Sequence, residues 1–141
     1  MLLNVSYNNP KIKKQIESEV GGPFSLRKRW ELGGIGSSKL NITYASIDIH
    51  NLLVLDNNND SCSIELRPKG IIVRFRSLLE TYGLIIPYYK LKIYKGQAQE
   101  YSIYRDHYCI KVAVTEKNIH QYFKKINAQK ISVLPTAIDE L

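Results

Sequence analysis

Three histidines and two cysteines are the side chains of this 141-residue chain best suited to proton transfer, nucleophilic attack or metal binding. His107 directly follows Asp106, and an imidazole beside a carboxylate is a pairing used in general-base catalysis. Neighbours along a strand point to opposite faces, however, so we do not expect these two side chains to meet. The other histidines and the cysteines lack the Cys-x-x-Cys and His-x-x-x-His spacings typical of metal sites. We therefore predict no catalytic residue, no metal and no cofactor.

A glycine-rich segment, GGIGSSK at residues 33–39, contains the residue types of a phosphate-binding loop. It lacks the Gly-x-x-x-x-Gly-Lys-Ser/Thr spacing that such a loop requires, so we interpret it as a turn. Cys62 and Cys109 would each need a nearby base to act as a nucleophile, and the sequence identifies none. These observations favour a non-enzymatic protein.

Cations and tyrosines alternate with apolar residues in two stretches of the second half. If the two predicted strands are neighbours, their outward positions share one surface. Aromatic rings among cations can stack bases and neutralise phosphates, which predicts single-stranded RNA as a ligand. The alternative is a solvated face on which lysine and arginine stems cover the tyrosine rings. The residues of this candidate basic sheet face are Arg74, Arg76, Tyr88, Lys90, Lys92 and Tyr94.

The net charge of +7 favours anionic partners, namely nucleic acid, an acidic membrane surface or an acidic protein, although it also serves solubility alone. The length fits one domain with a core that needs no disulfide or metal to hold it. The sequence shows no charged leader and no apolar run of membrane-spanning length. We therefore expect a cytoplasmic protein.

The polar, asparagine-rich residues 1–23 allow two interpretations. Residues 11–20 form a short helix, because apolar side chains recur every four positions at Ile12, Ile16 and Val20. Alternatively, the whole segment is a mobile arm.

Period-two alternation begins at Phe24 and predicts a half-buried strand over residues 24–32, with Leu26 and Trp30 on its buried face. Alternation resumes at Leu40, but its phase slips before Ile47.

A β-bulge near Ala45 and Ser46 would explain this slip. Residues 51–56 then form a further short strand, or this region contains a helical turn. The asparagine run at residues 56–60 predicts a turn.

The second half alternates more regularly. We predict strands around Ile64 and Leu66 and over residues 71–76, 88–94, 101–104 and 108–114, with turns at residues 68–70 and 105–107 and a connection over residues 77–83. About seven antiparallel strands result.

The period changes to that of a helix near the end of the chain. One apolar stripe, Ile119, Tyr122, Phe123 and Ile126, follows the i, i+3, i+4, i+7 spacing. Thr115 is the predicted N-cap, with Glu116 in the first turn. The apolar stripe must be buried, and a curved sheet covered by this helix would bury it. Residues 132–141 form a tail.

This layout of about seven antiparallel strands resembles the pleckstrin-homology-like (PH-like) fold, in which two packed antiparallel sheets form a partly open barrel capped by one C-terminal helix. Residues 64–96 are similar to the small bacterial members, which often carry a hairpin with a Lys-Gly or Asp-Gly turn, followed by an apolar segment with Ile-Pro-Tyr. The matching residues are Lys69, Gly70, Ile86, Pro87 and Tyr88. The resemblance implies a mainly β protein with a single PH-like domain over residues 24–131.

Members of this fold bind phosphoinositides, peptides, other proteins or their own copies. The lipid-binding branch uses a basic cluster between the first two strands, and here basic residues flank the glycine-rich segment. The segment matches no defined phosphoinositide motif, so the candidate anion-binding residues are chosen by charge and position alone: Arg27, Lys28, Arg29 and Lys39.

Three non-enzymatic functions follow. The first is a binding or assembly module that associates with a protein partner or with itself, through exposed sheet edges or a tyrosine-rich surface. The second is an anion-binding module for acidic lipid headgroups. The third is single-stranded RNA binding on the basic sheet face.

Overall fold

One antiparallel sheet of eight strands, which does not close on itself, organises the chain. The structure, a computed structural model, describes residues 1–55, 60–96 and 99–134. The strands are β1 (Leu2–Asn4), β2 (Leu40–Ala45), β3 (Ser61–Arg67), β4 (Gly70–Ser77), β5 (Glu80–Pro87), β6 (Lys92–Lys95), β7 (Glu100–Arg105) and β8 (Tyr108–Ala113). The helices are α1 (Pro10–Val20), α2 (Leu26–Leu32), α3 (Ile47–Leu53) and α4 (Lys117–Val133).

Strand β2 joins the two halves of the sheet. The strand order is β1-β5-β4-β3-β2-β8-β7-β6. The first residues of β2, Leu40 and Asn41, pair with β3, and the later residues pair with β8. The register with β8 shifts between Ile42 and Tyr44. A strand that changes partner across an irregularity bends the sheet at that point.

Helix α4 covers one face of the sheet, which we call the inner face. Its buried residues Ile119, Tyr122, Phe123 and Ile126 share one hydrophobic core with the inward residues of β3, β4, β5, β7 and β8. The Phe123 ring stacks on Tyr101 of β7, with centroids 4.1 Å apart. The Tyr122 hydroxyl lies 2.7 Å from the Ile35 carbonyl oxygen. The predicted apolar stripe of the C-terminal helix is therefore confirmed.

Helix α1 packs on the opposite, outer face. Ile16 and Val20 form a second hydrophobic cluster with Ile72 of β4 and Ile85 of β5. Helix α1 approaches the sheet closely at Gly70, where an added Cβ would lie 2.6 Å from Val20 Cγ1. Of the two interpretations of the N-terminal segment, the helix is the one found for residues 10–20.

The strand predicted over residues 24–32 is wrong, because α2 occupies most of this range. Ser25 is the N-cap, and its side chain accepts a hydrogen bond from the Lys28 N–H. Gly33 ends the helix at φ 72°, in the left-handed region that favours glycine. These two caps outweigh a period-two pattern that arises by chance in a short amphipathic segment.

The phase slip after Leu40 has a different cause from the predicted bulge near Ala45 and Ser46. The register shift lies earlier, between Ile42 and Tyr44, and Ile47 already belongs to helix α3. The helical alternative for this region is therefore the correct one.

Several boundaries in the second half also differ. The connection predicted over residues 77–83 is only a turn at Leu78 and Leu79, and β5 begins at Glu80. Residues 88–90 form a turn rather than a strand, so β6 begins at Lys92. The N-cap of α4 is Glu116 instead of Thr115.

The prediction of a mainly β protein with a C-terminal helix is confirmed, although the described residues form eight strands and four helices instead of seven strands and one helix. Most of the turn predicted at residues 56–60 and most of the tail predicted at residues 132–141 lie outside the described residues.

Candidate functional site

Helix α2 presents two large apolar side chains to solvent. Leu26 is 81% exposed and Trp30 is 87% exposed. They stand four positions apart, so they share one side of the helix. No residue of α2 is buried. The Lys125 ammonium group, 3.4 Å and 3.3 Å from the carbonyl oxygens of Gly33 and Gly34, ties the C-terminal end of α2 to α4.

Three basic residues lie between the members of this apolar pair in the sequence of α2. The Arg27 side chain is 92% exposed and Lys28 is half exposed; both lie within 4 Å of Glu31. Such exposed pairs contribute little binding energy, so both cations remain able to contact a partner. The Arg29 side chain forms a hydrogen bond within the protein, because its Nε donates to the Phe24 carbonyl oxygen at 3.0 Å.

The fourth predicted anion-binding residue, Lys39, lies on a different surface. It lines a cleft of about 570 Å³ together with Arg74 and Arg76 of β4. Register places Arg74 and Arg76 on the outer face, beyond the apolar positions that α1 covers. Ser61, Ser63, Thr81 and Asp60 also line this cleft.

A chain of ion pairs fixes Arg74 at this cleft. Glu65 of β3 accepts from Arg74 Nη1 through one carboxylate oxygen and from Arg67 Nε at 2.7 Å through the other. Arg67 also donates to the Gly21 carbonyl oxygen at 3.0 Å, just after α1. Burial acts to raise the pKa of Glu65, but the hydrogen bonds and charges of Arg74 and Arg67 outweigh it and lower that pKa.

The candidate basic sheet face is divided by the fold. Strand β4, which carries Arg74 and Arg76, pairs with β3 and β5, whereas β6 pairs with β7 at the far end of the sheet. Lys92 and Tyr94 therefore lie in the other half of the sheet from these arginines, with Lys90 in the preceding turn. Tyr88 is 1% exposed and belongs to the inner core.

Lys92 and Tyr94 instead share a surface with side chains of β7, β8 and β2. Strand pairing sets Lys92 opposite Tyr104, which is opposite Cys109 in β8. The next row runs from Tyr94 through Ser102 and Lys111 to Tyr44. We call this surface the tyrosine–lysine face. It comprises Tyr44, Tyr89, Tyr94, Tyr104, Lys90, Lys92 and Lys111.

Part of this face is concave. Tyr89, Tyr94 and Tyr104 line an open cleft of about 480 Å³ with Lys90, Lys92 and Asp106. The Tyr94 and Tyr104 rings meet edge to face, with centroids 5.6 Å apart. At the opposite end of the face, the Lys111 ammonium group lies 5.3 Å from the centre of the Tyr44 ring.

His107, Asp106 and His120 each interact with a different partner, so they do not form one catalytic group. His107 Nε2 lies 3.2 Å from Asp48 Oδ2, whereas Asp106 pairs with Lys90 at 3.7 Å and with Arg105 at 3.4 Å. His120 Nδ1 is 3.0 Å from the Tyr101 hydroxyl.

The two thiols are buried. Burial raises the pKa of Cys62 to about 12 and also raises the pKa of Cys109. Both side chains are therefore weak nucleophiles near neutral pH.

Within the described ranges, no group of three or more His, Cys, Asp or Glu side chains is placed to hold a metal ion. None of the helices in that part of the chain is long and apolar enough to cross a membrane. Comparison with family models, curated proteins and solved structures gives no match.

Sequence reasoning missed the exposed pair on α2 because it assigned Leu26 and Trp30 to a buried strand face. The signal was present: a serine N-cap before an i, i+4 apolar pair, followed by glycine. It also missed Tyr44, Tyr104 and Lys111 as members of one surface. Their proximity depends on the pairing of β2 with β8, which lie far apart in the sequence.

Proposed function

We propose that this chain is a non-enzymatic PH-like binding module that docks onto another protein through helix α2. The single observation that carries the proposal is the exposure of Leu26 and Trp30 side by side on a helix that buries none of its own residues. Tryptophan and arginine are the residue types most enriched in interface hot spots. Desolvation of both apolar side chains would supply binding energy that the isolated chain does not gain.

The PH-like assignment is supported by connectivity. Strands β2 to β5 form one meander and β6 to β8 form another, β2 joins the two, and the C-terminal helix covers the inner face. The resemblance implies about seven antiparallel strands capped by a C-terminal helix, and β2 to β8 with α4 are consistent with that number.

The charge of α2 indicates the kind of partner. The helix carries Arg27, Lys28 and Arg29 against one carboxylate, Glu31. Two copies that met α2 to α2 would bring like charges together, which opposes association. We therefore propose a partner with an apolar pocket and an acidic rim rather than a symmetric dimer through this helix.

Site-specific photo-cross-linking tests this function. A photoreactive amino acid at Arg27 should give one discrete adduct in cells that express the protein. The adduct should disappear when Leu26 and Trp30 are both replaced by serine. The same probe at Lys13, exposed on α1, is the matched control. Equal labelling from both positions, or an adduct indifferent to the serine substitutions, would refute docking through α2. An adduct of twice the chain's own mass would identify self-association instead.

An acidic lipid surface is the second candidate, favoured by one observation. Arg27 and Trp30 are both exposed and three positions apart on α2, and indole rings beside basic residues suit a membrane–water interface. Flotation with phosphatidylcholine vesicles, with and without phosphatidylserine, tests it. Binding should require phosphatidylserine, weaken with salt, and fall when Arg27 and Lys28 become glutamate. Failure to float with either vesicle eliminates this candidate.

A further inference from the structure

The tyrosine–lysine face combines exposed aromatic rings with cations on one side of the sheet. Tyr44, Tyr89 and Tyr94 are 53%, 70% and 58% exposed. Tyr104 is half-buried, opposite Cys109 in the strand pairing and in ring contact with Tyr94. The inner core contains none of these four side chains. The rings of Tyr44, Tyr89 and Tyr94 are therefore largely solvated and open to a ligand, and Tyr104 lines the cleft beside Tyr89 and Tyr94.

The cations of this face are not all equivalent. Asp106 Oδ2 lies 3.7 Å from Lys90 and offsets its charge. Lys92 is exposed at the cleft, and Lys111 stands beside Tyr44 at the other end of the face. An anionic ligand would offset the positive charge of Lys92 and Lys111.

We propose that the tyrosine–lysine face binds single-stranded nucleic acid. Bases stack on the rings of Tyr89, Tyr94 and Tyr104, and phosphates contact Lys92 and Lys111. Stacking needs unpaired bases with free faces, so a duplex is a poor ligand for this surface. Aromatic stacking discriminates weakly among bases, so affinity depends little on sequence. This site is separate from α2 and does not rest on the function proposed for that helix.

Charge supports a polyanion over a neutral peptide as the occupant. The chain carries +7 overall, and three lysines stand among the tyrosines of the face. The same tyrosines would suit a protein contact. Salt dependence separates the two, because each phosphate contact on a single strand contributes about −0.7 to the slope of log affinity against log salt.

The test uses the full chain and labelled single strands of about 12 nucleotides, oligouridylate and its DNA counterpart. Anisotropy is measured between about 50 and 200 mM salt. We expect binding that weakens steeply with salt. Tyr94→Ala should reduce the affinity about tenfold, whereas Tyr94→Phe should retain it because the ring remains. Lys92→Ala should lower the magnitude of the salt slope by about 0.7.

Matched controls lie elsewhere on the molecule. Tyr7→Ala and Lys14→Ala remove an exposed ring and an exposed charge near or on α1, and neither should change the affinity. The pair Lys39→Ala and Arg76→Ala removes charge from the cleft beside β4. Loss of binding in that pair with retention in Tyr94→Ala would overturn the proposal. So would the absence of oligonucleotide binding at the lowest salt, or equal affinity for a duplex. Circular dichroism confirms that each variant is folded.

Discussion

Arg105 and Glu19 lie 86 positions apart in the sequence, and their side chains form an ion pair of 2.7 Å between Nη1 and Oε1. Arg105 is at the end of β7 and Glu19 is near the end of α1, so the pair links the N-terminal helix to the second half of the sheet. The Arg105 side chain is only 7% exposed. It also donates to the Ile85 carbonyl oxygen in β5, so one guanidinium group joins three elements.

Loss of the Glu19 carboxylate should destabilise the protein. Glu19→Gln leaves a buried cation with a neutral partner, and we expect the free energy of unfolding to fall by about 1–3 kcal/mol. Urea unfolding measures this change. Glu17→Gln alters an exposed carboxylate on the same helix and should change stability by no more than about 0.5 kcal/mol. Equal effects of the two substitutions would show that the ion pair contributes nothing.

Acid should weaken the contribution of Glu65 to the stability of the folded protein. The native pKa of Glu65 lies below its usual value of 4.5, because the charges of Arg74 and Arg67 outweigh burial. The stabilisation is thus fully present above about pH 4.5 and is lost as pH falls through the lowered native pKa. Glu65→Gln removes this titration. The stability difference between the natural chain and Glu65→Gln, measured by urea unfolding from neutral to acid pH, should shrink below pH 4.5. A difference that stays constant would contradict the assignment.

Docking of α4 should depend on Phe123. This ring is 3% exposed and stacks on Tyr101, so Phe123→Ala should cost about 3–5 kcal/mol. Asn127→Ala, at an exposed position of the same helix, serves as the control. Thermal unfolding followed by circular dichroism compares the two. If Phe123→Ala melts like the control, α4 does not contribute its apolar stripe to the core in solution.

Gly70 should tolerate no side chain. A Cβ there would lie 2.6 Å from Val20 Cγ1 and 2.8 Å from Pro87 Cα. Gly70→Ala must therefore push α1 or β5 outward, and we expect a loss of about 1–3 kcal/mol in urea unfolding. Gly36→Ala adds the same methyl group where nothing lies within 4 Å, and its stability should be close to that of the natural chain. A Gly70→Ala protein as stable as Gly36→Ala would show that α1 does not press on this turn.

The sequence predicted secondary structure best in the segments where one periodicity dominates. The α4 stripe was found because four large apolar residues recur at helical spacing, and the β7–β8 hairpin because its alternation is uninterrupted. The segment around Leu26 and Trp30 was misassigned because seven residues hold too few periods to separate a strand from a helix. Capping residues settle such cases when the periodicity cannot.

Prediction of the candidate sites required knowing which strands pair, and the paired strands are distant in the sequence. Alternation correctly placed Ile71 inward and Arg74 outward on β4, since it reports the face of a single strand. It carries no information on which strands are neighbours. Lys92 was therefore grouped with Arg74, whereas its real neighbour is Tyr104. A turn at residues 88–90 also reversed the expected burial of Tyr88, which a continuous strand would have left outside.

The only tryptophan of the chain, Trp30, is solvated in the folded state. Its emission maximum should therefore differ little between native and denatured protein, and melting curves recorded by indole emission would be nearly flat. The same property makes Trp30 an internal reporter of occupancy at α2. A blue shift on mixing with another molecule would indicate that the indole has left water, without any label attached to the protein.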